Sequence, residues 1–138
     1  MRFTFTIEGG DFTHGGHASS QIKKLLKQLN IEPSLIKRIV VAAYEAEMNV
    51  VAHAFRGTID VDINFDKVFI RIQDEGPGIG NIDQAMQEGF STASPKVREM
   101  GFGAGMGLPN IKKNADYLNI QSQVGQGTCL EITTFIKS

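Results

Sequence analysis

Three polar side chains recur at four-residue intervals in an otherwise apolar stretch of the chain: Glu45, Asn49 and His53. On an α-helix this spacing places them in one stripe along one face. The amide oxygen of Asn49 is a hard, neutral ligand suited to Mg²⁺, which keeps several waters and phosphate oxygens. Glu45, one turn away, is suited to orient or deprotonate a nucleophile. The alternative is a solvated polar face, with His53 serving only in hydrogen bonding and packing.

A second pattern, Asp74-x-Gly76-x-Gly78, directly follows an apolar alternation that is typical of a β-strand. A carboxylate just past a strand can accept a hydrogen bond from an exocyclic amine such as that of adenine. The glycines let the backbone approach a flat ring closely, because they carry no Cβ. Taken alone, the pattern is equally consistent with a tight turn that contains an aspartate.

A third pattern places glycine at positions 101, 103, 105 and 107 and runs into Leu108-Pro109-Asn110. Glycine amides followed by a helix N-terminus form a site for anions such as phosphates. Pro109 suits the first turn of that helix. The pattern is not a Walker loop, since Lys-Ser/Thr does not follow the last glycine, and no strand precedes it as a Rossmann fingerprint requires. A flexible linker is the alternative, although linkers rarely end in a capped, periodic helix.

Hydrophobic periodicity predicts four helices that position these patterns. The first begins at a Ser19 or Ser20 cap and ends near Leu29. The long helix begins at Pro33 and continues to about residue 55, where Gly57 ends it. Two shorter helices are predicted over residues 82–88 and 108–117, and residues 89–105 are predicted to form a mobile loop.

Period-two alternation predicts the strands. One lies at residues 2–7, two more form a hairpin over 59–65 and 68–72 around Asp66-Lys67, and the last two lie at 118–124 and 128–136. We therefore expect an α+β fold, a two-layer sandwich in which a mixed, mostly antiparallel sheet is covered on one face by helices. Residues 1–138 are expected to form a single domain.

Composition excludes several classes of function. The chain has 138 residues and a net charge of −1, which does not indicate a general binder of nucleic acids or anionic membranes. Its one cysteine, Cys129, cannot form an internal disulfide. The sequence shows no signal-peptide pattern and no stretch of roughly 20 apolar residues that could span a membrane. A cytoplasmic location is the resulting expectation.

In this order, the three patterns resemble the N, G1 and G2 boxes of the superfamily of gyrase, heat-shock chaperone, histidine kinase and mismatch-repair ATPases. The resemblance covers roughly residues 1–136, and the joint pattern is far more specific than any single box. It implies the Bergerat ATP-binding fold, in which the nucleotide lies between the long helix and the sheet. It also implies ATP or ADP and Mg²⁺ as cofactors.

The resemblance also implies roles for individual residues. Asn49 would bind Mg²⁺, Glu45 would act as general base, and Asp74 would bind the adenine amino group. Thr128, in the closing Gly-x-Gly-Thr element, would help to hold the adenine. The remaining implied nucleotide-binding residues border the base or face the phosphates: Gly76, Gly78, Ile79, Gly103, Gly105, Met106, Gly107 and Leu108. Residues 89–100 would be the lid over ATP.

Within the superfamily, the chain resembles the anti-sigma-factor kinases and the related stressosome switch kinase. The sequence of residues 105–113, together with the preceding Gly89-Phe90-Ser91-Thr92, resembles the switch-kinase type more closely. This branch implies transfer of the ATP γ-phosphate to a serine of a small antagonist protein. A sensor histidine kinase is disfavoured, because only about 30 residues precede the long helix and such kinases need an upstream helical hairpin.

Two other functions stay open at this point. One is a nucleotide-gated module that sequesters a sigma factor or another partner with little or no phosphate transfer. The other is a catalytic module cut from a larger sensor kinase. The expected partner is a small antagonist protein or a sigma factor, and the resemblance also allows a homodimer. Lys96 and Arg98 either touch the γ-phosphate or are ordinary surface cations, and His14 and His17 are interpreted as polar loop residues.

Overall fold

A computed structural model describes residues 1–87 and 107–136 of the chain. The described helices and strands follow the predicted order. They are β1 (Arg2–Glu8), α1 (His17–Gln28), α2 (Pro33–His53), β2 (Arg56–Ile63), β3 (Lys67–Glu75), α3 (Ile82–Ala85), α4 (Gly107–Asn114), β4 (Tyr117–Gln123) and β5 (Gly127–Phe135).

The five strands form one sheet in the order β1-β2-β3-β5-β4. Each neighbouring pair among these strands is antiparallel, so the described sheet has no parallel pairing. The predicted α+β fold is confirmed, and the sheet is more uniform than the mixed one expected. The register places Gln73 of β3 opposite Cys129 of β5, so the end of β3 lies beside the start of β5.

The hydrophobic core lies between this sheet and the helices. Strand residues with the same parity point to one face, and on β2 and β3 these are buried β-branched side chains such as Ile59, Ile70 and Ile72. The long helix α2 supplies Ile39, Ala43 and Val50 to the same core. Asp74 has the same parity as Ile70 and Ile72, so β3 directs its carboxylate towards the helical layer rather than towards the open face.

Helix α1 begins earlier than predicted. Its first residue is His17, and its N-cap residue Gly16 has a left-handed backbone (φ 94°) and provides no side-chain cap. Ser19 and Ser20 are therefore not caps, and the prediction was wrong. Ser19 lies inside the first turn, where its buried hydroxyl bonds to a residue of α2.

The predicted end of α2 also needs correction. The helix ends at His53, and Phe55 N already donates to Glu75 O of β3 at 2.8 Å. Gly57 does not end the helix but lies buried in β2. A Cβ at Gly57 would be 3.0 Å from Val50 Cγ1 and 3.1 Å from Gln73 O, so this glycine allows α2 to pack closely on the sheet.

The hairpin between β2 and β3 turns over residues 64–66 rather than at Asp66-Lys67. Asn64 Oδ1 accepts a hydrogen bond from Lys67 N at 3.2 Å, a side-chain contact that competes with further strand pairing. Phe65 was predicted to lie in the strand but lies in this turn with 94% of its surface exposed.

The two shorter helices are shorter than predicted. Helix α3 covers only Ile82–Ala85, and Asn81 caps it by accepting a hydrogen bond from Gln84 N at 3.0 Å. Helix α4 ends at Asn114, because Tyr117 already belongs to β4. Across the described parts of the chain, no helix combines the length and the apolar character that a membrane span requires.

Candidate functional site

The first and third sequence patterns meet where α4 begins. Glu45 and Asn49 are half-buried on α2. A Cβ built on Gly107, the first residue of α4, would lie 3.5 Å from Glu45 Oε2 and 3.7 Å from Asn49 Oδ1. The stripe is therefore not a fully solvated face, because its carboxylate and amide oxygens face the N-terminus of another helix. The positive end of that helix favours negative charge at this point.

Glu45 is an ionisable group at a partly dehydrated position. Burial raises the pKa of its carboxyl above the ordinary glutamate value, because the charged form loses hydration. A side-chain hydrogen bond from Asn110 of α4 acts in the opposite direction. Asn110 belongs to the glycine-rich pattern, but sequence spacing does not show which way α4 turns and so does not identify it as a site residue.

Asp74 lies half-buried at the end of β3, as predicted. Its Oδ1 accepts a hydrogen bond from Thr128 N of β5 at 3.0 Å, and among the described residues its Oδ2 has no partner. Burial raises the pKa of this carboxyl, and the Thr128 hydrogen bond partly offsets the shift. The second pattern and the closing glycine–threonine element therefore form one cluster.

Gly127 is what allows β5 to approach Asp74. Its φ is 147°, and a Cβ there would lie 2.1 Å from Asp74 O, which is well inside van der Waals contact. Any other residue at position 127 would push the two strand ends apart. The close packing of β5 against the end of β3 therefore requires glycine at position 127 whether or not a ligand binds.

The loop after Asp74 is fixed to the β4–β5 hairpin. Ile79 N donates to Ser122 Oγ at 2.6 Å, and Ser122 Oγ lies 2.9 Å from Thr128 Oγ1. Gly78 has a φ of 75°, and a Cβ there would meet Gln123 O at 2.4 Å. Ser122 was missed by the sequence interpretation, because a serine on an edge strand carries no pattern of its own.

Gly76 connects this cluster to α2. It is buried, and a Cβ at this position would lie 3.0 Å from Ala54 Cβ, just after the end of α2, and 3.2 Å from Asp74 Oδ1. Leu108 is buried and packs in the hydrophobic core. The predicted residues Gly103, Gly105 and Met106, the predicted lid over residues 89–100, and Lys96 and Arg98 within it lie outside the described residues.

The histidines have ordinary surroundings. Burial lowers the pKa of His53, the last residue of α2. His14 is exposed, and its Nδ1 lies 2.9 Å from Asp11 Oδ2. His17 is the first residue of α1 and is exposed. Within residues 1–87 and 107–136, no group of three or more histidine, cysteine and acidic side chains is arranged to hold a metal ion.

A buried carboxylate that the sequence interpretation missed lies between the two site residues of α2. Glu47 is only 2% exposed. It accepts four hydrogen bonds at the start of α1, from Gly16 N (3.0 Å), Ala18 N (3.2 Å), Ser19 N (2.9 Å) and Ser19 Oγ (2.6 Å). Glu47 thus caps α1 from a neighbouring helix, which explains why α1 needs no cap of its own. The signal available in the sequence was an acidic residue next to the core positions of α2.

The donor set suits an adenine nucleotide with a divalent cation. Asp74 has an oxygen that is not used within the described fold, at a half-buried position where an amine donor would satisfy it. Asn49 and Glu45 place hard oxygen atoms against the start of α4, where a helix N-terminus favours phosphate. The arrangement is suited to the class of nucleotide sites that lie between a sheet and a helical layer.

Comparison with known proteins agrees with this class. The family description "Histidine kinase-like ATPase domain" matches residues 11–134. The chain belongs to this family.

Two curated relatives are also similar over most of their length. An anti-sigma F factor of Thermoanaerobacter sp. (strain X514) is 33% identical over 115 residues, which are 78% of this chain and 77% of the relative. The serine/threonine-protein kinase RsbT of Bacillus subtilis (strain 168) is 31% identical over 104 residues, 72% of each chain. The resemblance to the anti-sigma-factor and switch-protein kinases is confirmed.

Solved structures show the same fold at low sequence identity. The RsbU and RsbW domains of a Mycobacterium tuberculosis protein superpose with a TM-score of 0.68 at 15% identity. That match covers 100% of this chain, which spans only 33% of the mycobacterial chain. The SiaB–SiaC complex of Pseudomonas aeruginosa gives a TM-score of 0.65 at 12% identity, with 95% of this chain and 88% of the other covered.

Proposed function

We propose that this chain is an ATP-dependent serine/threonine protein kinase that transfers the γ-phosphate of ATP to a serine of a small antagonist protein. The observation that carries the proposal is the convergence of Glu45 and Asn49 on the start of α4, with Asp74 held at the neighbouring strand end. The serine/threonine kinase among the curated relatives supports it.

In this proposal Asp74 selects the base. Its unused oxygen accepts a hydrogen bond from the exocyclic amine of adenine, while the backbone amide of Thr128 holds the other carboxylate oxygen in place. Guanine presents an oxygen where adenine presents that amine, so the same carboxylate would repel it. The raised pKa of Asp74 indicates a poorly hydrated group that gains from an amine donor.

Asn49 and Glu45 serve the phosphate end. Asn49 Oδ1 is the proposed ligand for Mg²⁺, which would supply positive charge to offset that of the phosphates. Glu45 accepts the proton of the incoming serine hydroxyl as the new oxygen–phosphorus bond forms and the bond to the ADP oxygen breaks. Its raised pKa brings this base closer to the working pH than an ordinary glutamate.

A second candidate is a nucleotide-gated module that binds a sigma factor or another partner without transferring phosphate. The name of the Thermoanaerobacter relative, an anti-sigma F factor, supports partner binding of this kind. Both candidates use the same nucleotide residues, so the site geometry does not separate them. A cytoplasmic location and a homodimer remain part of the proposal.

The two candidates are separated by incubating the chain with γ-labelled ATP, Mg²⁺ and a small antagonist protein as the candidate substrate. Label on a serine of the antagonist supports the kinase. A stable complex that forms only with nucleotide and carries no label supports the binding module. Failure to bind Mg-ATP at all would contradict both.

A further inference from the structure

A groove opens between the C-terminal half of α1 and the first turns of α2. Its volume is about 690 Å³, within the range of natural ligand sites. The α2 wall of the groove lies within residues 33–41, and Lys37 is roughly 18 Å along the helix from Asn49. Among the described lining residues, none has been assigned to nucleotide or metal binding.

The floor of the groove is apolar. It is formed by Ile31 and Pro33 in the α1–α2 connection and by Ile36, Val40 and Val41 on α2. Ile36 belongs to the core, whereas Ile31, Val40 and Val41 are only half-buried. The apolar surface of these three side chains is therefore incompletely covered by the rest of the described fold.

The rims of the groove are cationic. Lys23 and Lys27 lie one helical turn apart on α1, and Lys37 lies on α2. Glu32 is the only acidic residue among the described lining residues, and it already accepts a hydrogen bond from Ser34 Oγ at 2.5 Å. The excess of basic residues is not confined to the residues that line the groove. Residues 12–44 contain five basic residues and one acidic residue, while the whole chain has a net charge of −1.

We propose that this groove docks an acidic, amphipathic α-helix of a protein partner. Apolar side chains on one face of such a helix would cover the floor, and carboxylates along its flanks would meet the lysines at the rims. A pair of carboxylates spaced i and i+4 matches the one-turn spacing of Lys23 and Lys27. Nucleic acid fits less well, because the floor offers apolar side chains where phosphates would need cations.

The inference rests on the proposed function only in identifying the occupant as a protein. The groove and the nucleotide site consist of different residues, so a substitution in one site should not abolish binding at the other. Asn49→Ala, which is expected to lose Mg-ATP, should dock the helix with unchanged affinity. A loss of docking in that variant would tie the groove to the nucleotide site and contradict the separation.

The test uses fluorescence anisotropy with the full chain and a labelled peptide of about fourteen residues, helical and with leucines on one face. Three versions carry glutamate, glutamine or lysine on the flanks. We expect the glutamate peptide to bind, the glutamine peptide to bind about tenfold more weakly, and the lysine peptide to bind most weakly. Binding of the glutamate peptide should also weaken as salt is raised.

A matched pair of variants locates the contact. Lys27→Glu should weaken the glutamate peptide about tenfold and strengthen the lysine peptide. Lys24→Glu makes the same charge change on the same helix, but Lys24 does not line the groove. This control should change affinity less than about twofold.

Three results would overturn the proposal. The first is no binding of any peptide at millimolar concentration, and the second is an equal loss in Lys24→Glu and Lys27→Glu. The third is binding of laurate that Lys27→Glu weakens while no peptide binds, which would assign the groove to an aliphatic carboxylate instead of a protein helix.

Discussion

Two glutamates on α2, only two residues apart, have opposite surroundings. Glu47 faces α1, is almost fully buried, and accepts four hydrogen bonds from the start of that helix. Glu45 faces α4, is half-buried, and its pKa is affected by burial more than by the hydrogen bond from Asn110. Two residues along a helix turn the side chain by roughly 200°, so the two carboxylates serve opposite faces.

The difference shows which carboxylate is available for chemistry. Both carboxylate oxygens of Glu47 accept hydrogen bonds from the start of α1, so this side chain has a structural role. Glu45 keeps capacity for a further proton or donor and lies at a helix start that attracts phosphate. Substitutions at the two positions distinguish a structural glutamate from a chemical one.

The largest expected effect is on phosphate transfer in Glu45→Gln. The amide keeps the size of the side chain but cannot accept the serine proton, so we expect the transfer rate to fall by a factor of about 10² to 10⁴. Single-turnover transfer from labelled ATP measures the rate, and calorimetry should show Mg-ATP affinity within about threefold of wild type. Normal transfer by this variant would remove Glu45 as the base.

The next largest effect is on stability in Glu47→Ala. Three backbone amides and the Ser19 hydroxyl would lose their acceptor inside the protein, which we expect to lower the free energy of unfolding by about 3 kcal/mol or more. Urea denaturation measures the loss. Glu45→Ala is the matched control and should change stability by less than about 1 kcal/mol.

Ser19→Ala provides a milder check on the same cluster. It removes one of the four hydrogen bonds and leaves the three amides in place, so a loss of about 1 kcal/mol is expected. If Glu47→Ala and Glu45→Ala cost the same, the assignment of Glu47 as the cap of α1 would be wrong.

The smallest effect is on the pH dependence of stability. The pKa of Asp74 is raised in the folded protein, so the folded state binds the proton more tightly than the unfolded state does. Stability from this group is therefore present below the unfolded pKa and is lost as pH rises through the folded pKa. Asp74→Asn has no such loss, so its stability relative to wild type should rise from pH 4 to pH 7 by of order 1 kcal/mol or less. Urea midpoints at both pH values test the sign, and an advantage that shrinks with pH would contradict the raised pKa.

Much of the fold was predictable because it follows from local periodicity. The alternation of Ile59 and Val61, and of Val68, Ile70 and Ile72, identified strands whose one face is buried. Pro33 marked the start of α2, and the glycine-rich turn marked the β4–β5 hairpin. The positions of Glu45, Asn49 and Asp74 at a helix face and a strand end followed from the same patterns.

The missed features depend on contacts between residues far apart in sequence. The start of α1 was misplaced because its cap, Glu47, lies 28 residues from Ser19. Gly57 was interpreted as a helix stop, although its absent side chain makes room for Val50. Asn110 and Ser122 gain their roles only when α4 and β4 are brought against α2 and the Asp74 loop. The spacing of residues in the sequence describes one helix or strand at a time, so it does not show which elements come into contact.

The central claim is that Asp74 and Asn49 form the two ends of one adenine-nucleotide site. Isothermal calorimetry of Mg-ATP binding tests it with wild type, Asp74→Asn and Asn49→Ala, with Asp60→Asn on the open face of the sheet as the control. The account predicts that wild type and the control bind alike and that each site variant binds at least about tenfold more weakly. Equal binding by all four proteins, or no binding by the folded wild type, would contradict it.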